Sequence, residues 1–500
     1  MPHDSSPSVS SALPGADDVI VALATAPGRS AVAVVRVSGR RAHEVAGRVV
    51  RPWPAEARRA QLCAVHEPRG AAEVIDRALV TRFDRPRSYT GEDAVEIATH
   101  GGYAVPAAVV AALVAAGARE ALPGEFTRRA VLNGKLDLVQ AEAVGDLVDA
   151  RSPAMRRAAL AQLDGGLSRR VAALRDAVLD VEALIAYEID FPEEDDGPLP
   201  RARVAAASDA VVVALDGLLA TAPAGELVRE GAIVVIAGAP NAGKSSLFNA
   251  LVGEARAIVT DVPGTTRDAI EAVVDGGAWP LRLVDTAGLR STEDSVERLG
   301  IEVSERYLSR AHAVLACGED EAALASAVTR VREVSEAPVV GVRTKCDRGA
   351  GRGAQGAGGP PHREGTALAD RAVTETPHTD PPASGQPRAP RPAAPVVRVS
   401  AETGAGLREL TETIGRVLAE RYGAPPMDAP VVTRERQRRA LAEAREEMAL
   451  FGAAWREGAL PAPVAAVHLR AASHALEELM GAVDVEEVLG RLFSTFCVGK

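Results

Sequence analysis

Lysine is almost absent from this chain of 500 residues. Lysine and arginine together number 57, yet lysine stands only at positions 135, 244, 345 and 500, which leaves 53 arginines. The planar fork of arginine and the compact ammonium of lysine are not interchangeable at phosphate or carboxylate sites. Each lysine is therefore a candidate for a role that arginine does not fill, although leftovers of a compositional bias would look the same.

Paired cysteines and long apolar runs are lacking as well. The four cysteines, at 63, 317, 346 and 497, form no C-x-x-C pair. This spacing argues against a disulfide scaffold or zinc site and favours a reducing compartment. No uninterrupted apolar run reaches 18 residues, and the first residues lack the basic and apolar regions of a signal peptide. We expect a cytoplasmic protein without membrane contact.

The composition is that of a globular chain with two to four domains. Hydrophobic residues make up 47% and charged residues 25% of the sequence, the usual balance for such proteins. The net charge of −11 argues against a generally basic nucleic-acid coat but leaves room for a local basic groove.

The spacing of apolar residues predicts three kinds of segment. Short β-branched runs with one helix near 105–116 indicate an α+β domain, and three- and four-residue spacing indicates helices on either side of an alternating β/α stretch. We therefore predict a doubly wound parallel α/β domain inserted into an α-helical domain. The predicted segments are a disordered tail at 1–17, an α+β domain at 18–124, helical halves at 125–228 and 425–500, and an α/β domain at 229–424.

Individual elements follow from the same patterns. Within 348–394, eight glycines and eight prolines predict a disordered insertion. The predicted strands are 19–23, 32–37, 79–83 and 94–98, then 233–237, 269–274, 281–285, 313–317, 338–342 and 396–399. The predicted helices of the helical domain are 136–148, 158–167, 171–185, 434–451, 463–480 and 485–496.

A phosphate-binding loop stands at Gly238-Ala-Pro-Asn-Ala-Gly-Lys-Ser-Ser246. It follows an apolar β-branched run and precedes a helical pattern, which is the context that a G-x-x-x-x-G-K-S match requires. The glycines let successive backbone N–H groups face one concavity. Lys244 would reach the β- and γ-phosphates, and the Ser245 hydroxyl would ligate Mg²⁺. The chain is predicted to bind a nucleotide.

Three further motifs identify the nucleotide as GTP. Asp285-Thr-Ala-Gly288 and Thr344-Lys-Cys-Asp347 end strands, and Ser400-Ala-Glu402 ends the last strand. The Asp347 carboxylate suits the two N–H donors on the edge of guanine, a donor pair that adenine lacks. In this order the motifs resemble a translation-factor-type GTPase domain. Thr344 stands where such domains usually have Asn, which removes one amide contact.

Water positioning and charge stabilisation must differ from those in signalling GTPases. Leu289 follows Gly288, where those enzymes carry the glutamine that orients water. No arginine finger can be assigned. Asn241 places a side-chain oxygen beside the phosphates, where it could help to hold a monovalent cation or could merely stabilise the turn.

Motifs from one end of the chain to the other carry a family resemblance. Besides the nucleotide motifs they are Ile20-Val-Ala-Leu-Ala-Thr-Ala-Pro-Gly-Arg29, Val34-Val-Arg-Val-Ser-Gly39, Tyr89-Thr-Gly-Glu-Asp93, His100-Gly-Gly102, Pro123-Gly-Glu-Phe-Thr127, Leu132-Asn-Gly-Lys-Leu-Asp-Leu138, Gln140-Ala-Glu-Ala143 and Phe496-Cys-Val-Gly-Lys500. The chain resembles the bacterial and organellar tRNA modification GTPases of the MnmE (TrmE) type over about 18–347 and 395–500.

The resemblance implies a fold and ligand for the first domain. It would be a tetrahydrofolate-binding fold, similar to that of the glycine-cleavage T protein, and it would dimerise. The implied folate contacts are Arg36, Glu96, Lys135 and Lys500. From the residues alone, Arg36 and Glu96 would be a surface ion pair between strands.

The resemblance also implies a potassium-dependent GTPase. Asn241, Thr260, Val262 and Thr265 would surround K⁺, and Ser245 and Thr266 would ligate Mg²⁺. Lys244 and Glu297 would be catalytic, the latter by orienting water. The residues expected to contact GTP are Asn241, Ala242, Gly243, Lys244, Ser245, Ser246, Thr260, Asp261, Val262, Pro263, Gly264, Thr265, Thr266, Asp285, Thr286, Ala287, Gly288, Thr344, Lys345, Asp347, Ser400, Ala401 and Glu402.

Cys497 matches a cysteine near the family's C-terminus. The resemblance implies a catalytic role for it, whereas a lone cysteine beside Phe493 and Phe496 is more often a buried small hydrophobe.

The implied activity is modification of C5 of the wobble uridine in tRNA by a carboxymethylaminomethyl-type group. It would use GTP hydrolysis, G-domain dimerisation, a one-carbon tetrahydrofolate, and an FAD-dependent MnmG-type partner in a heterotetramer. Two alternatives stay open at this point. One is a cation-dependent regulatory GTPase of ribosome assembly, and the other is a folate-dependent one-carbon enzyme merely regulated by GTP.

Overall fold

The computed structural model describes most of the chain as two compact units. The residues described are 18–68, 73–190, 201–254, 270–285, 307–349, 393–424, 430–458, 461–481 and 499. One unit is formed from Met1–Glu230 together with Pro425–Lys500, and the other from Gly231–Ala424. The predicted tail at 1–17, nearly all of the predicted insertion and the predicted helix at 485–496 lie outside the described residues.

A seven-stranded sheet forms the first part of the first unit. Its strands are β1 Ile20–Leu23, β2 Gly28–Ser38, β3 Val50–Arg51, β4 Gln61–His66, β5 Val74–Phe83, β6 Ala94–Gly102 and β7 Arg119–Glu120, in the order β3-β4-β5-β6-β2-β1-β7. All pairs are antiparallel except β1 with β7. Helices α1 (Ala42–Gly47) and α2 (Ala104–Ala115) pack against it. The four predicted strands and the helix are confirmed.

Alternation along β2 determines which side chains face each side of this sheet. Val35 and Val37 are fully buried in the core with Val109 and Leu113 of α2. Because successive strand residues point to opposite faces, Arg36 lies on the other face. The strand therefore carries a packed apolar face and a face open to polar chemistry.

Helices make up most of the other described residues of the first unit. Before the second unit they are α3 Glu125–Leu132, α4 Leu138–Asp149, α5 Pro153–Leu163, α6 Gly166–Asp190, α7 Arg201–Leu219 and α8 Ala222–Glu230. Two more helices follow the second unit in the sequence: α12 Glu435–Glu457 and α13 Ala462–Met480. The numbers α9 to α11 belong to helices of the second unit. Residues from both sides of the second unit share one apolar core, in which Val178, Leu215, Leu441 and Leu469 are buried together.

One predicted helix boundary was wrong. The predicted helix at 158–167 is divided between α5, which ends at Leu163, and α6, which begins at Gly166. Gly165 has φ +77°, a left-handed conformation that interrupts the helix. The predicted helix at 171–185 lies inside the longer α6. The sequence pattern failed here because apolar spacing continues across the break.

A six-stranded sheet forms the second unit. Its strands are β8 Ala232–Gly238, β9 Ile270–Gly276, β10 Trp279–Asp285, β11 Ala313–Gly318, β12 Val339–Arg343 and β13 Val396–Arg398, in the order β13-β12-β11-β8-β10-β9. The described helices of this unit are α9 Lys244–Glu254, α10 Glu321–Val334 and α11 Leu407–Tyr422. All six predicted strands are present, within two residues at each end.

The alternating pattern predicted a wholly parallel sheet, and this prediction was wrong for one strand. β9 pairs antiparallel with β10, whereas the pairs among β10, β8, β11, β12 and β13 are parallel. Only Gly277 and Ala278 separate β9 from β10, and Gly277 has φ +80°. A two-residue link can close a hairpin, but a parallel crossover needs a dozen or more residues. The antiparallel strand therefore follows from the short turn.

Among the described residues one segment, Arg201–Glu230, is long and apolar enough to cross a membrane by length and composition. In the structure it is two helices, α7 and α8, and Val211 and Leu215 of α7 are buried in the helical core. A core helix passes the same test, so the segment is weak evidence for membrane contact. The predicted cytoplasmic location without membrane contact stays a prediction.

Candidate functional site

The phosphate-binding loop connects β8 to α9. Gly238 has φ +151°, and a Cβ at this position would lie 2.6 Å from the Cys317 carbonyl oxygen, so only glycine fits. Asn241 has φ +64°, a left-handed conformation that asparagine tolerates better than most residues. The loop is closed by a hydrogen bond from Ala242 N–H to the Ala239 carbonyl at 3.2 Å. These features hold the backbone in the concave form that a phosphate requires.

Lys244 and Ser245 begin α9 at the base of this loop. Lys244 is buried, and its Nζ donates to the carbonyls of Gly238 at 3.1 Å and Ala239 at 2.9 Å. Ser245 is exposed. A buried ammonium and an exposed hydroxyl at a helix N-terminus fit a phosphate and a hard cation such as Mg²⁺.

Asp285 stands at the end of β10, as its motif predicted. It is only 2% exposed, and β10 is the neighbour of β8 in the sheet.

Burial raises the pKa of the nearby Cys317 thiol to about 12; the charge of Asp285 adds to this effect and that of Lys244 opposes it. Cys317 is therefore a structural thiol. Cys63, Cys317 and Cys346 are all free among the described residues.

The guanine motif at 344–347 lies beside the same loop. The Thr344 hydroxyl donates to the Ala242 carbonyl at 2.9 Å. Lys345 has φ +56°, its Nζ donates to the Asn241 carbonyl at 2.9 Å, and it forms an ion pair with Glu319. Both residues thus attach the end of β12 to the phosphate-binding loop.

A cleft of about 100 Å³ joins these motifs. The residues that line it come from the phosphate-binding loop and α9, from the guanine motif, and from the loop after β13. They are Gly243, Ser246, Leu247, Thr344, Lys345, Asp347, Val399, Ala401 and Glu402. The structure therefore brings two residues of the phosphate-binding motif, Gly243 and Ser246, together with the predicted base contacts.

Several predicted site residues lie outside the described residues. They are Thr260, Asp261, Val262, Pro263, Gly264, Thr265, Thr266, Thr286, Ala287, Gly288, Glu297, Cys497 and Lys500. The roles assigned to these residues stay predictions, and so does the role of Asn241 as a K⁺ ligand.

A second polar cluster surrounds Arg36 on the sheet of the first unit. Arg36 lies opposite Glu96 in the β2–β6 register and donates to its Oε1 from Nε at 3.0 Å and from Nη2 at 2.9 Å. The guanidinium lies over the rings of Tyr89 and Phe126, with its carbon 5.4 and 5.8 Å from the ring centroids. The predicted ion pair exists, and two aromatic rings that the sequence reasoning gave no role complete its surroundings.

Gly499 contacts this cluster, and Lys135 packs beside the segment that carries Tyr89. The Lys135 stem packs on Gly91, where an added Cβ would lie 3.2 Å from its Cγ, and Gly91 is two residues from Tyr89. Lys135 itself is exposed. Arg36 Nη1 lies 3.4 Å from the carbonyl oxygen of Gly499. Arginine and an exposed lysine are side chains that suit the carboxylates of a folate.

A buried ion network supports the loop that carries Tyr89. Arg129, 6% exposed, donates to Glu92 at 3.1 Å and to Glu125 at 3.0 Å. Arg119 donates to both oxygens of Glu125, at 2.6 and 2.9 Å. Burial raises the pKa of Glu125, but the hydrogen bonds from Arg119 and Leu122 N–H and the nearby positive charges leave it below its ordinary value. Sequence reasoning missed this network, although the spacing of Glu125 and Arg129 is that of an i,i+4 helix pair and could have indicated part of it.

Family models match two parts of the chain. The model described as "GTP-binding protein TrmE N-terminus" matches residues 19–135, and the one described as "MnmE helical domain" matches residues 138–497. Together they span both units of the structure.

Curated relatives match over nearly their whole lengths. A protein of Thermus thermophilus named "tRNA modification GTPase MnmE" is 41% identical over 488 residues, covering 97% of this chain and 99% of the relative. Proteins of the same name from Methylorubrum populi and Aquifex aeolicus are 41% and 37% identical, covering 98% and 96% of this chain and 99% of each relative. A solved structure, the G domain of the T. maritima FeoB iron transporter, is 22% identical with a TM-score of 0.23, covering 37% of this chain and 98% of its own.

Proposed function

The chain belongs to the MnmE family of tRNA modification GTPases and is a GTP hydrolase that acts in tRNA modification, and we propose that it installs, with a partner, a carboxymethylaminomethyl-type group at C5 of the wobble uridine. The observation that carries the proposal is that one chain contains two sites. One unit has a cleft lined by the predicted guanine contacts, and the other has the Arg36 cluster. The first suits a GTPase, and the second suits a folate that donates one carbon.

Guanine recognition would depend on Asp347. Its carboxylate would accept hydrogen bonds from N1–H and the exocyclic amine of guanine, and the backbone at Ala401 would donate to the guanine oxygen. These residues line one cleft with Gly243 of the phosphate-binding loop. Adenine offers no such donor pair to a carboxylate, so the arrangement favours GTP over ATP.

Hydrolysis would occur at the other end of this cleft. Water attacks the γ-phosphorus, the bond from this phosphorus to the β–γ bridging oxygen breaks, and GDP and phosphate leave. Lys244 would stabilise the charge on the phosphate oxygens, and Glu297 would orient the water in place of the absent glutamine. Mg²⁺ at Ser245 and Thr266, and K⁺ at Asn241, Thr260, Val262 and Thr265, would supply further positive charge when bound.

Tetrahydrofolate would bind at the Arg36 cluster. Arg36, Lys135 and Lys500 would pair with its carboxylates, while Glu96 holds Arg36 in place through two hydrogen bonds. The Gly499 carbonyl near Arg36 supports a folate contact by the adjacent residue in the chain, Lys500. Cys497 would be a catalytic residue, as the family resemblance implies. The one-carbon unit would come from methylene- or formyl-tetrahydrofolate.

Assembly would involve a second copy and an FAD-dependent MnmG-type partner in a heterotetramer, with dimerisation of the G domains coupled to hydrolysis. An apolar cavity of about 830 Å³ beside β1 and α2, with Tyr103 at its edge 77% exposed, supports dimerisation through the first domain. The tRNA would bind to this assembly.

Cation dependence tests the GTPase part of the proposal. We expect GTP turnover by the full chain to be faster in KCl than in NaCl. Asn241→Gly removes the side-chain oxygen without strain at φ +64°, so we expect it to abolish this difference. Asn241→Asp keeps an oxygen and serves as the matched control. Equal turnover of the parent chain in both salts would remove the potassium assignment.

Reconstitution tests the modification itself. The purified chain, an FAD-dependent partner and unmodified tRNA would be incubated with GTP, methylene-tetrahydrofolate and an amine donor, and nucleosides would be analysed by mass spectrometry. We expect a C5-substituted wobble uridine only when GTP and the folate are both present. Product formation without folate would contradict the role proposed for the Arg36 cluster.

A further inference from the structure

Thr344 stands where GTPases of this type usually have asparagine, and the structure shows what the replacement keeps. The hydroxyl Oγ1 lies 2.9 Å from the Ala242 carbonyl oxygen and 3.4 Å from that of Gly318. Thr344 is 5% exposed, and so is Ala242. The hydroxyl thus ties the end of β12 to the phosphate-binding loop in a place closed to most solvent.

The same hydrogen bond determines what the replacement loses. A threonine hydroxyl has one proton, and both neighbouring backbone oxygens can only accept. The proton is therefore committed to the loop, mainly to Ala242. The remaining lone pairs of the hydroxyl can accept a hydrogen bond but cannot donate one. An asparagine amide, in contrast, has two N–H donors and can serve two acceptors at once.

The position of Thr344 in the cleft indicates which atom of the base is affected. Asp347 would hold the six-membered ring of guanine, whose N1–H and amine are the donors that a carboxylate accepts. The five-membered ring, which bears N7 and the ribose, then lies toward the phosphates. Thr344 lines the cleft next to the phosphate-binding loop, since an added Cβ on Gly243 would lie 3.4 Å from the Thr344 Cβ. Guanine N7 is an acceptor only.

We propose that Thr344 is a positioning residue that ties the guanine motif to the phosphate-binding loop, and that guanine N7 is bound here without a hydrogen bond. Recognition of the base then depends on Asp347 and on the loop at Ala401. The inference requires only that the cleft binds a guanine nucleotide, and it does not depend on the folate or potassium assignments.

The test compares GDP with 7-deaza-GDP, in which N7 is replaced by C–H. Competition against a fluorescent GDP derivative, with the full chain, gives both dissociation constants. We expect the two constants of the parent chain to agree within about twofold. Thr344→Asn adds the second donor and should favour GDP over 7-deaza-GDP by about 2- to 12-fold, the value of one hydrogen bond.

Two further variants separate positioning from base reading. Thr344→Ser keeps the hydroxyl and should keep both constants close to those of the parent. Thr344→Val removes the tie to Ala242 and should weaken binding of both nucleotides by the same factor. A parent chain that prefers GDP over 7-deaza-GDP by more than about twofold would overturn the proposal, whether or not Thr344→Asn folds. Loss of such a preference in Thr344→Val would show that the hydroxyl donates to N7 instead.

Discussion

Arg129 is the residue whose replacement should most weaken the domain that carries the Arg36 cluster. It donates to Glu92 at 3.1 Å, to Glu125 at 3.0 Å and to the Asp18 carbonyl at 2.9 Å, with its own side chain 7% exposed. Arg129→Met fills similar space but leaves two largely buried carboxylates with fewer partners. Breaking a buried pair by removing one member costs about 3–5 kcal/mol. Because Arg119 still pairs with Glu125, we expect a loss of about 3 kcal/mol.

Denaturant unfolding followed through Trp53 would measure this loss. Trp53 packs against the core of the sheet domain, and Trp279→Phe and Trp455→Phe would leave it as the only tryptophan. Arg59→Met in the same background is the matched control, since Arg59 forms an exposed pair with Glu56 at 3.1 Å. We expect no measurable change in its unfolding midpoint. The reasoning is refuted if Arg129→Met shifts the midpoint no more than Arg59→Met does.

Three other changes should have separable effects. Asp347→Asn should shift the binding preference from GTP toward xanthosine triphosphate, because the amide can donate to the C2 oxygen of xanthine. Competition binding of both nucleotides would measure this shift, and a retained preference for GTP would contradict it. Arg36→Lys loses the two-pronged contact with Glu96 and should weaken tetrahydrofolate binding in equilibrium dialysis without changing GTP turnover. The pKa of Glu125 is lowered in the folded state, so its contribution to stability is complete above the ordinary carboxyl pKa of about 4.3. This contribution is lost as the pH falls through the lower pKa of the folded state. Glu125→Gln should therefore reduce the pH dependence of the free energy of unfolding at acidic pH.

Strand positions in the second unit could be predicted because each strand is a short β-branched run. Ile233–Ile236 lies within β8, and similar runs mark its neighbours. Strand direction could not be predicted from these runs, since it depends on the hairpin at Gly277. In the first unit, β3 and β7 have two residues each and β4 buries only Cys63 and Val65, so their apolar signal is too weak to find.

The nucleotide cleft was more predictable than the Arg36 cluster for a physical reason. Parallel strands end at one edge of a sheet, so motifs at strand ends such as Thr344 and Ser400 must approach the phosphate-binding loop. The Arg36 cluster depends instead on the register that places Arg36 opposite Glu96 and on two rings, Tyr89 from a loop and Phe126 from α3. Nothing in local spacing fixes those contacts. The hydrogen bond of Thr344 to Ala242 likewise became visible only in the structure.

Analysis of wobble uridines in cellular tRNA tests the central claim most directly. The gene for this chain would be deleted, and total tRNA nucleosides would be measured by mass spectrometry in the deletion strain and after complementation. We expect C5 carboxymethylaminomethyl-type uridine to disappear on deletion, to return with the parent gene, and to stay absent with Lys244→Ala. Unchanged C5 modification in the deletion strain, with no second copy of the gene present, would contradict the account.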